Sequence, residues 1–358
     1  MNVYQNKTKV LFNFVVCFLF VCLTSFSDNK KQVIDQHNPI ETEAITFILG
    51  ADADLKNPFY LKAELYYRHN EKNKTEKVIL SCHSLAEVQE YLTENASDRP
   101  WGLINLVSHG NHYLGLSVKI TPDGKRASVE RLEESLEKGI FKRFSKNVID
   151  DETIIALHGC GLGNNVELVN AIKAVFSNKV TSAKVKTSTN FEYYVSDENN
   201  QQAITKYLAD FWITSYKMGY KPSNNIIEKR FSAEYPDSDV NWKEALLKEQ
   251  GSVAGDVFHY TFEVPVKWVF RYDCNDSIPK LENENLKLQW VSQNPSIMED
   301  LRKIDISPEK FNWWMRSIYV KNDDGSKTPA LWVKGYCTML CVLKLLPQDS
   351  ENVQIAKH

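Results

Sequence analysis

The stretch Thr153-Ile154-Ile155-Ala156-Leu157-His158-Gly159-Cys160-Gly161 is a short apolar run that ends in an imidazole, two glycines and a thiol. An apolar run of this length bounded by glycine reads as a buried strand at the point where the chain leaves its sheet. Upstream, Trp101-Gly102-Leu103-Ile104-Asn105-Leu106-Val107-Ser108-His109-Gly110-Asn111 repeats the pattern with a histidine at its end. Ala44-Ile45-Thr46-Phe47-Ile48-Leu49-Gly50 and Lys77-Val78-Ile79-Leu80-Ser81 add two further strands. Helical patterns lie between them. Leu85 to Leu92 follows Ser84 as N-cap, Ser128 to Lys138 carries Leu132 and Leu136, and Asn165 to Phe176 sets Val166, Leu168, Val169, Ile172 and Val175 on one face. Short apolar strands bounded by helices predict an α/β sandwich over residues 44–215, with a mostly parallel sheet covered on both faces.

The remainder changes character. From Phe258 to Tyr272 the even positions are Phe258, Tyr260, Phe262, Val264, Val266, Trp268, Phe270 and Tyr272, and mostly polar residues fall between them. That period-two alternation predicts one long strand with a dry face and a wet face. Phe311 to Val320 and Leu331 to Leu346 read as further strands, so residues 216–358 form a β-rich C-terminal region. It is either a structural extension of the first domain or a recognition module. The aromatic stripe of the long strand reads as core rather than as a ligand platform.

The chain has 358 residues, 43% of them hydrophobic and 11% aromatic, enough for one large or two ordinary domains. A formal charge of −3 without clustering gives no reason to expect a nucleic-acid partner. Residues 1–27 carry Lys7 and Lys9, an apolar run from Val10 to Phe26, and Ser25-Phe26-Ser27 before Asp28, the pattern of a cleaved secretory signal. Export to a secreted, periplasmic or surface location follows. The membrane enters only through this segment, if it is kept as an anchor or lipidated at Cys22. Residues 28–43 read as a polar tether. The mature chain then keeps Cys82, Cys160, Cys274, Cys337 and Cys341, an odd number that leaves at least one thiol without an internal disulfide partner. Cys337 and Cys341, if on one strand, lie about 13 Å apart at strand rise, too far to bridge.

Reactive groups in an open parallel sheet collect at the carboxyl ends of its strands. If the strands ending at His109 and Cys160 are neighbours, the two side chains stand at one edge and can share a proton. A nearby imidazole or a helix amino terminus shifts a thiol toward thiolate, and Gly161-Leu162-Gly163-Asn164 leads straight into the helix at Asn165. The amides of Gly110 and Cys160 are the natural donors to an oxyanion, because flanking glycines let backbone approach. Each motif alone has a blander reading: His-Gly as a turn, a strand-end cysteine as a small hydrophobe. Their joint placement is what points to catalysis. Cys82-His83 competes, but adjacent strand residues point to opposite faces. His112 is a substrate contact or a loop residue, and His158 a locally hydrogen-bonded histidine.

A strand ending in His-Gly followed by a later strand ending in Gly-Cys resembles the caspase-like cysteine peptidases, the group of caspases, gingipains, clostripain, legumain and separase. The resemblance covers roughly residues 44–190 and implies a caspase-like three-layer sandwich, His109 as base, Cys160 as nucleophile and an oxyanion site at Gly110. The caspase Gln-Ala-Cys pattern is absent, with His158 where that pattern has glutamine. In related enzymes loops after the first strand and after the nucleophile strand read the substrate side chain before the cleaved bond. Here the first strand leads to Asp52 and Asp54, whose carboxylates would favour a basic side chain, or which merely cap a turn.

The expectation is therefore an exported cysteine endopeptidase acting on a protein or peptide through an acyl-enzyme, with no cofactor and no metal. No third residue that orients His109 can be picked out. One alternative is a zinc hydrolase built from Asp52, His109, His112 and Cys160, although no short ligand pair such as H-E-x-x-H occurs. The other is a non-enzymatic secreted binding protein on a peptidase-like scaffold.

Overall fold

Strand β1 (Ala44–Ile48) is apolar at every position but Thr46, and the chain leaves it at Gly50 for helix α1 (Pro58–His69). Then follow β2 (Lys77–Ile79), α2 (Leu85–Glu94), β3 (Leu103–Val107), the short pair β4 (Gly110–Asn111) and β5 (Gly115–Leu116), α3 (Val129–Glu137), β6 (Ile154–His158), α4 (Val166–Val175) and β7 (Lys184–Thr187). The computed structural model describes residues 43–50, 57–69 and 77–348, less 179, 181, 198 and 201. The expected signal and tether, and with them Asp52 and Asp54, lie outside the described residues. All of the described residues belong to one unit, Thr42–His358.

The parallel sheet has the order β2-β1-β3-β6-β7. Its side chains alternate between two faces. Ile45, Phe47, Ile104, Leu106, Ile155 and Leu157 pack with Leu85, Val88 and Leu92 of α2, Leu132 of α3 and Leu168, Ile172 and Val175 of α4. On the other face Ile48 and Val107 pack with Tyr60, Ala63 and Tyr67 of α1. Helices therefore cover both faces, as the sequence pattern predicts. Ser84 caps α2 as read from sequence, and a reciprocal pair forms, with Glu87 N–H donating to Ser84 Oγ and the Ser84 hydroxyl to Glu87 Oε2. Cys82, beside it, is a buried member of the core, and burial pushes its thiol up to about 11.

The chain then builds a second sheet: β8 (Phe191–Ser196), β9 (Ile204–Lys217), α5 (Asn224–Glu234), α6 (Trp242–Ala245), β10 (Val257–Arg271), α7 (Glu284–Gln293), α8 (Pro295–Lys303), β11 (Asn312–Lys321) and β12 (Lys327–Leu345). It is antiparallel, in the order β10-β12-β9-β8, with β11 also on β12. The nineteen-residue β12 holds it together. Along one side it pairs with all of β10, and along the other it pairs first with β11 and then, from Cys337, with β9. β10 alternates as its sequence predicts, with Thr261, Glu263, Pro265, Lys267, Val269 and Arg271 exposed and the aromatic positions between them turned inward. It sits at the sheet edge, where the missing N–H of Pro265 costs no ladder bond. The antiparallel sheet begins at Phe191, so β8 and nearly all of β9 belong to it although they fall within residues 44–215.

Candidate active site

β3 and β6 are neighbours, parallel and in register from Leu103↔Ile154 to Val107↔His158. One step beyond, Ser108 N–H donates to the His158 carbonyl at 3.0 Å, so the pairing continues past the strand ends. His109 follows Ser108 directly, and Cys160 follows His158 after Gly159. Both line one cavity of about 370 Å³, together with Gly110. The backbone here is tight. A Cβ at Gly110 would stand 2.8 Å from the Gly115 carbonyl oxygen, and Gly161 has φ +64°, where a side chain is strained.

His109 is held on three sides. Asn57 Nδ2 lies 2.6 Å from its Nε2, the Phe59 ring stacks on it at 4.1 Å, and the Tyr60 ring meets it edge-on at 4.9 Å. All three come from the start of α1. Asn57 is the residue before Pro58, and its Oδ1 accepts from Phe59 N–H, so the side chain that caps the helix also holds the imidazole. This third residue escaped sequence reading, although Asn-Pro at a helix start was visible.

Cys160 is half-buried, packed against Phe191, Phe258 and Leu343, with Sγ 4.0 Å from the Glu192 carbonyl oxygen. Burial, and after it the Glu192 carboxylate, pushes the thiol up to about 12. This corrects the expected shift toward thiolate. The helix that follows starts only at Val166, after a tight turn, and Asn165 already caps it by accepting from Leu168 N–H. A helix dipole fades within one turn, so little of it reaches the sulfur.

Behind the sulfur lies a buried charged cluster. Lys206 Nζ is 3.0 Å from Glu192 Oε2, and His158 Nδ1 is 3.1 Å from both Glu192 Oε1 and Lys206 Nζ. Burial alone would raise the Glu192 carboxyl, but Lys206 and His158 overcome it and hold it at about 2. Burial, then Lys206, lowers the His158 pKa. A neutral ring with its proton on Nε2 fits this, donating to Asn105 Oδ1 at 3.0 Å and accepting from Lys206. Asn105 in turn donates to Thr46 Oγ1. His158 is thus the locally bonded histidine that its position suggested.

His112 stands elsewhere. The turn between β4 and β5, tied by Asn111 Oδ1 to the amides of Tyr113 and Leu114, carries it into a separate cavity of about 870 Å³ with Phe211, Arg230 and Tyr235. Its Nδ1 is buried without a partner among the described residues, and burial pushes its pKa down to about 4. His109 and His112 therefore line different cavities, and among the described residues, which exclude Asp52, no group of three or more possible metal ligands comes together. The described cysteines are all free thiols, and Cys337 and Cys341 lie on the one strand β12.

Much of the remaining cavity wall comes from Phe191 and Tyr193 of β8, which no sequence pattern singles out, and from Phe258, Tyr260 and Phe262 of β10, whose alternation reads as core. The β-rich region thereby supplies one side of the site. No protein-family model, no curated protein and no solved structure matches the chain.

Proposed function

We propose that the protein is an exported cysteine endopeptidase of caspase-like, three-layer build, with Cys160 as nucleophile and His109 as base. One observation carries the reading: the two side chains leave the carboxyl ends of adjacent parallel strands and line the same cavity. The thiol rests protonated, so His109 accepts its proton as Sγ attacks the substrate carbonyl, instead of storing a thiolate beforehand. The carbon–sulfur bond forms and the carbonyl oxygen becomes an oxyanion facing the Gly110 and Cys160 amides. His109 then gives the proton to the leaving amine, and water, deprotonated by His109, releases the acyl group.

The test is cleavage of a peptide library by the full chain beside Cys160→Ala and His109→Ala. Cleavage lost in both variants, each with an unchanged melting temperature, is the expected result; cleavage that survives Cys160→Ala ends the reading. Export is checked by amino-terminal sequencing of the mature protein, expected to begin at Asp28. A second reading, a binding protein on this scaffold, draws on the packing of Cys160 against an apolar cluster, which disfavours its thiolate. It prevails if Cys160→Ala leaves the biological effect of the protein intact.

A further inference from the structure

Cys160 packs into the same apolar cluster as Phe191, Phe258, Tyr260 and Phe262, and all of them line the cavity into which His109 opens. A carbonyl carbon brought to Sγ therefore carries its own side chain onto aromatic rings. Tyr260 stands opposite Cys341 across the β10–β12 pair, and it lines the cavity.

Among the described residues, the charged groups on this wall do not favour a basic guest. The Glu192 carboxylate is already paired with Lys206 and His158, and Glu249 is exposed to solvent. Lys62 and Arg126 line the cavity as cations whose pKa burial lowers, Arg126 to about 10. Aromatic rings attract cations, but two positive charges are already present, and like charges repel strongly in a poorly solvated site.

We propose that this cavity is a specificity pocket for an aromatic or large aliphatic side chain on the acyl side of the cleaved bond, with Phe191, Phe258, Tyr260 and Phe262 as its wall. The proposal rests on the hydrolase reading above. It gives the β-rich region a role in choosing the substrate, since three of the four residues named lie on β10.

The test varies the residue before the cleaved bond in peptides offered to the full chain. The expected kcat/KM for Phe, Tyr or Leu exceeds that for Lys, Arg or Asp by about 100-fold or more. Cleavage after a charged residue that depends on Cys160 would overturn the pocket and leave the hydrolase standing. If no peptide is cleaved in a Cys160-dependent way, the hydrolase reading falls, and the pocket is decided by protection. Alkylation of Cys160 by iodoacetamide, read by mass spectrometry, is then followed with N-acetyl-phenylalanine amide or N-acetyl-lysine amide present. Slowing by the phenylalanine amide alone upholds the pocket; equal slowing by both, or by neither, overturns it. In Phe262→Ala with an intact melting transition, kcat/KM on the phenylalanine peptide falls about 10-fold or more, and no loss would remove β10 from the wall. If that variant does not fold, the native-chain comparison decides alone.

Discussion

At Cys160 the surroundings oppose ionisation, which makes the timing of proton transfer measurable. At neutral pH iodoacetamide should modify exposed Cys274 first, because the Ser277 hydroxyl lowers that thiol. Cys160 should react slowly, its rate climbing about tenfold per pH unit through roughly pH 10 instead of levelling near the ordinary cysteine value of about 8.5. A plateau below pH 8 on the Cys160 peptide would mean a preformed thiolate and would sink the neutral-thiol attack. Asn57 is the second residue with a sharp consequence. Asn57→Ala removes a helix cap, costing about 1 kcal/mol of stability, and it frees the imidazole. A loss of about 10–100-fold in kcat with little change in KM is expected. Asn57→Asp keeps the cap and sets a carboxylate on Nε2, so the limb of the pH–rate profile that reports His109 should move to higher pH. An Asn57→Asp profile identical to that of the native protein would reduce Asn57 to a cap alone.

Among elements, β3, β6, β8 and β9 are joined by Asn105, His158, Glu192 and Lys206. Removing one member of a buried ion pair leaves the other charged and unsolvated, so Lys206→Met should lower the unfolding free energy by roughly 3–5 kcal/mol in urea titrations near pH 8. The deficit should shrink in acid, where Glu192 can be neutralised. The native protein has its own acid dependence with a definite sign. Burial depresses the pKa values of His112 and His158, so below about pH 6.5 the unfolded chain binds protons that the folded chain does not. Glu192, held at about 2, adds the same sign below roughly pH 4.3. The melting temperature should therefore fall steadily from pH 7 to 4 and more steeply toward pH 3. A maximum near pH 5 would contradict this. Several elements were legible: Ser84 as a cap, the alternation of β10 and the four apolar strands are patterns within at most fifteen residues, and local periodicity reports them. Helix α1 carries a weaker pattern: its buried Tyr60, Ala63 and Tyr67 recur at helical spacing, but exposed Leu61 and half-buried Leu65 and Tyr66 blur the apolar face.

For the whole molecule, the two sheets are interdependent. β12 pairs with β9, and β10 completes the wall around Cys160. A chain ended at residue 215 would cut β9 near its end, bare its edge and uncover Phe191 and Phe211, which stack at 4.5 Å beneath the β-rich half. Such a chain should show no cooperative melting transition, whereas limited proteolysis of the native protein should give no stable fragment of residues 44–215. A soluble, cooperatively folding 44–215 fragment would show that the parallel-sheet half stands alone. By itself the sequence determined, with β4, β5, β7, β8 and β9 excepted, which segments are strands, that two of them lead into His109 and Cys160, and that a second region is rich in β structure. These follow from apolar periodicity and glycine punctuation, which neighbouring residues carry. Only the tertiary structure decided that Asn57 reaches His109, that β8 and β10 wall the cavity, that His112 faces another one and that the Cys160 thiol is raised instead of lowered. The reason is physical: burial and electric field at one atom are sums over whatever segments the fold brings near it. Here those segments lie tens to hundreds of residues apart along the chain.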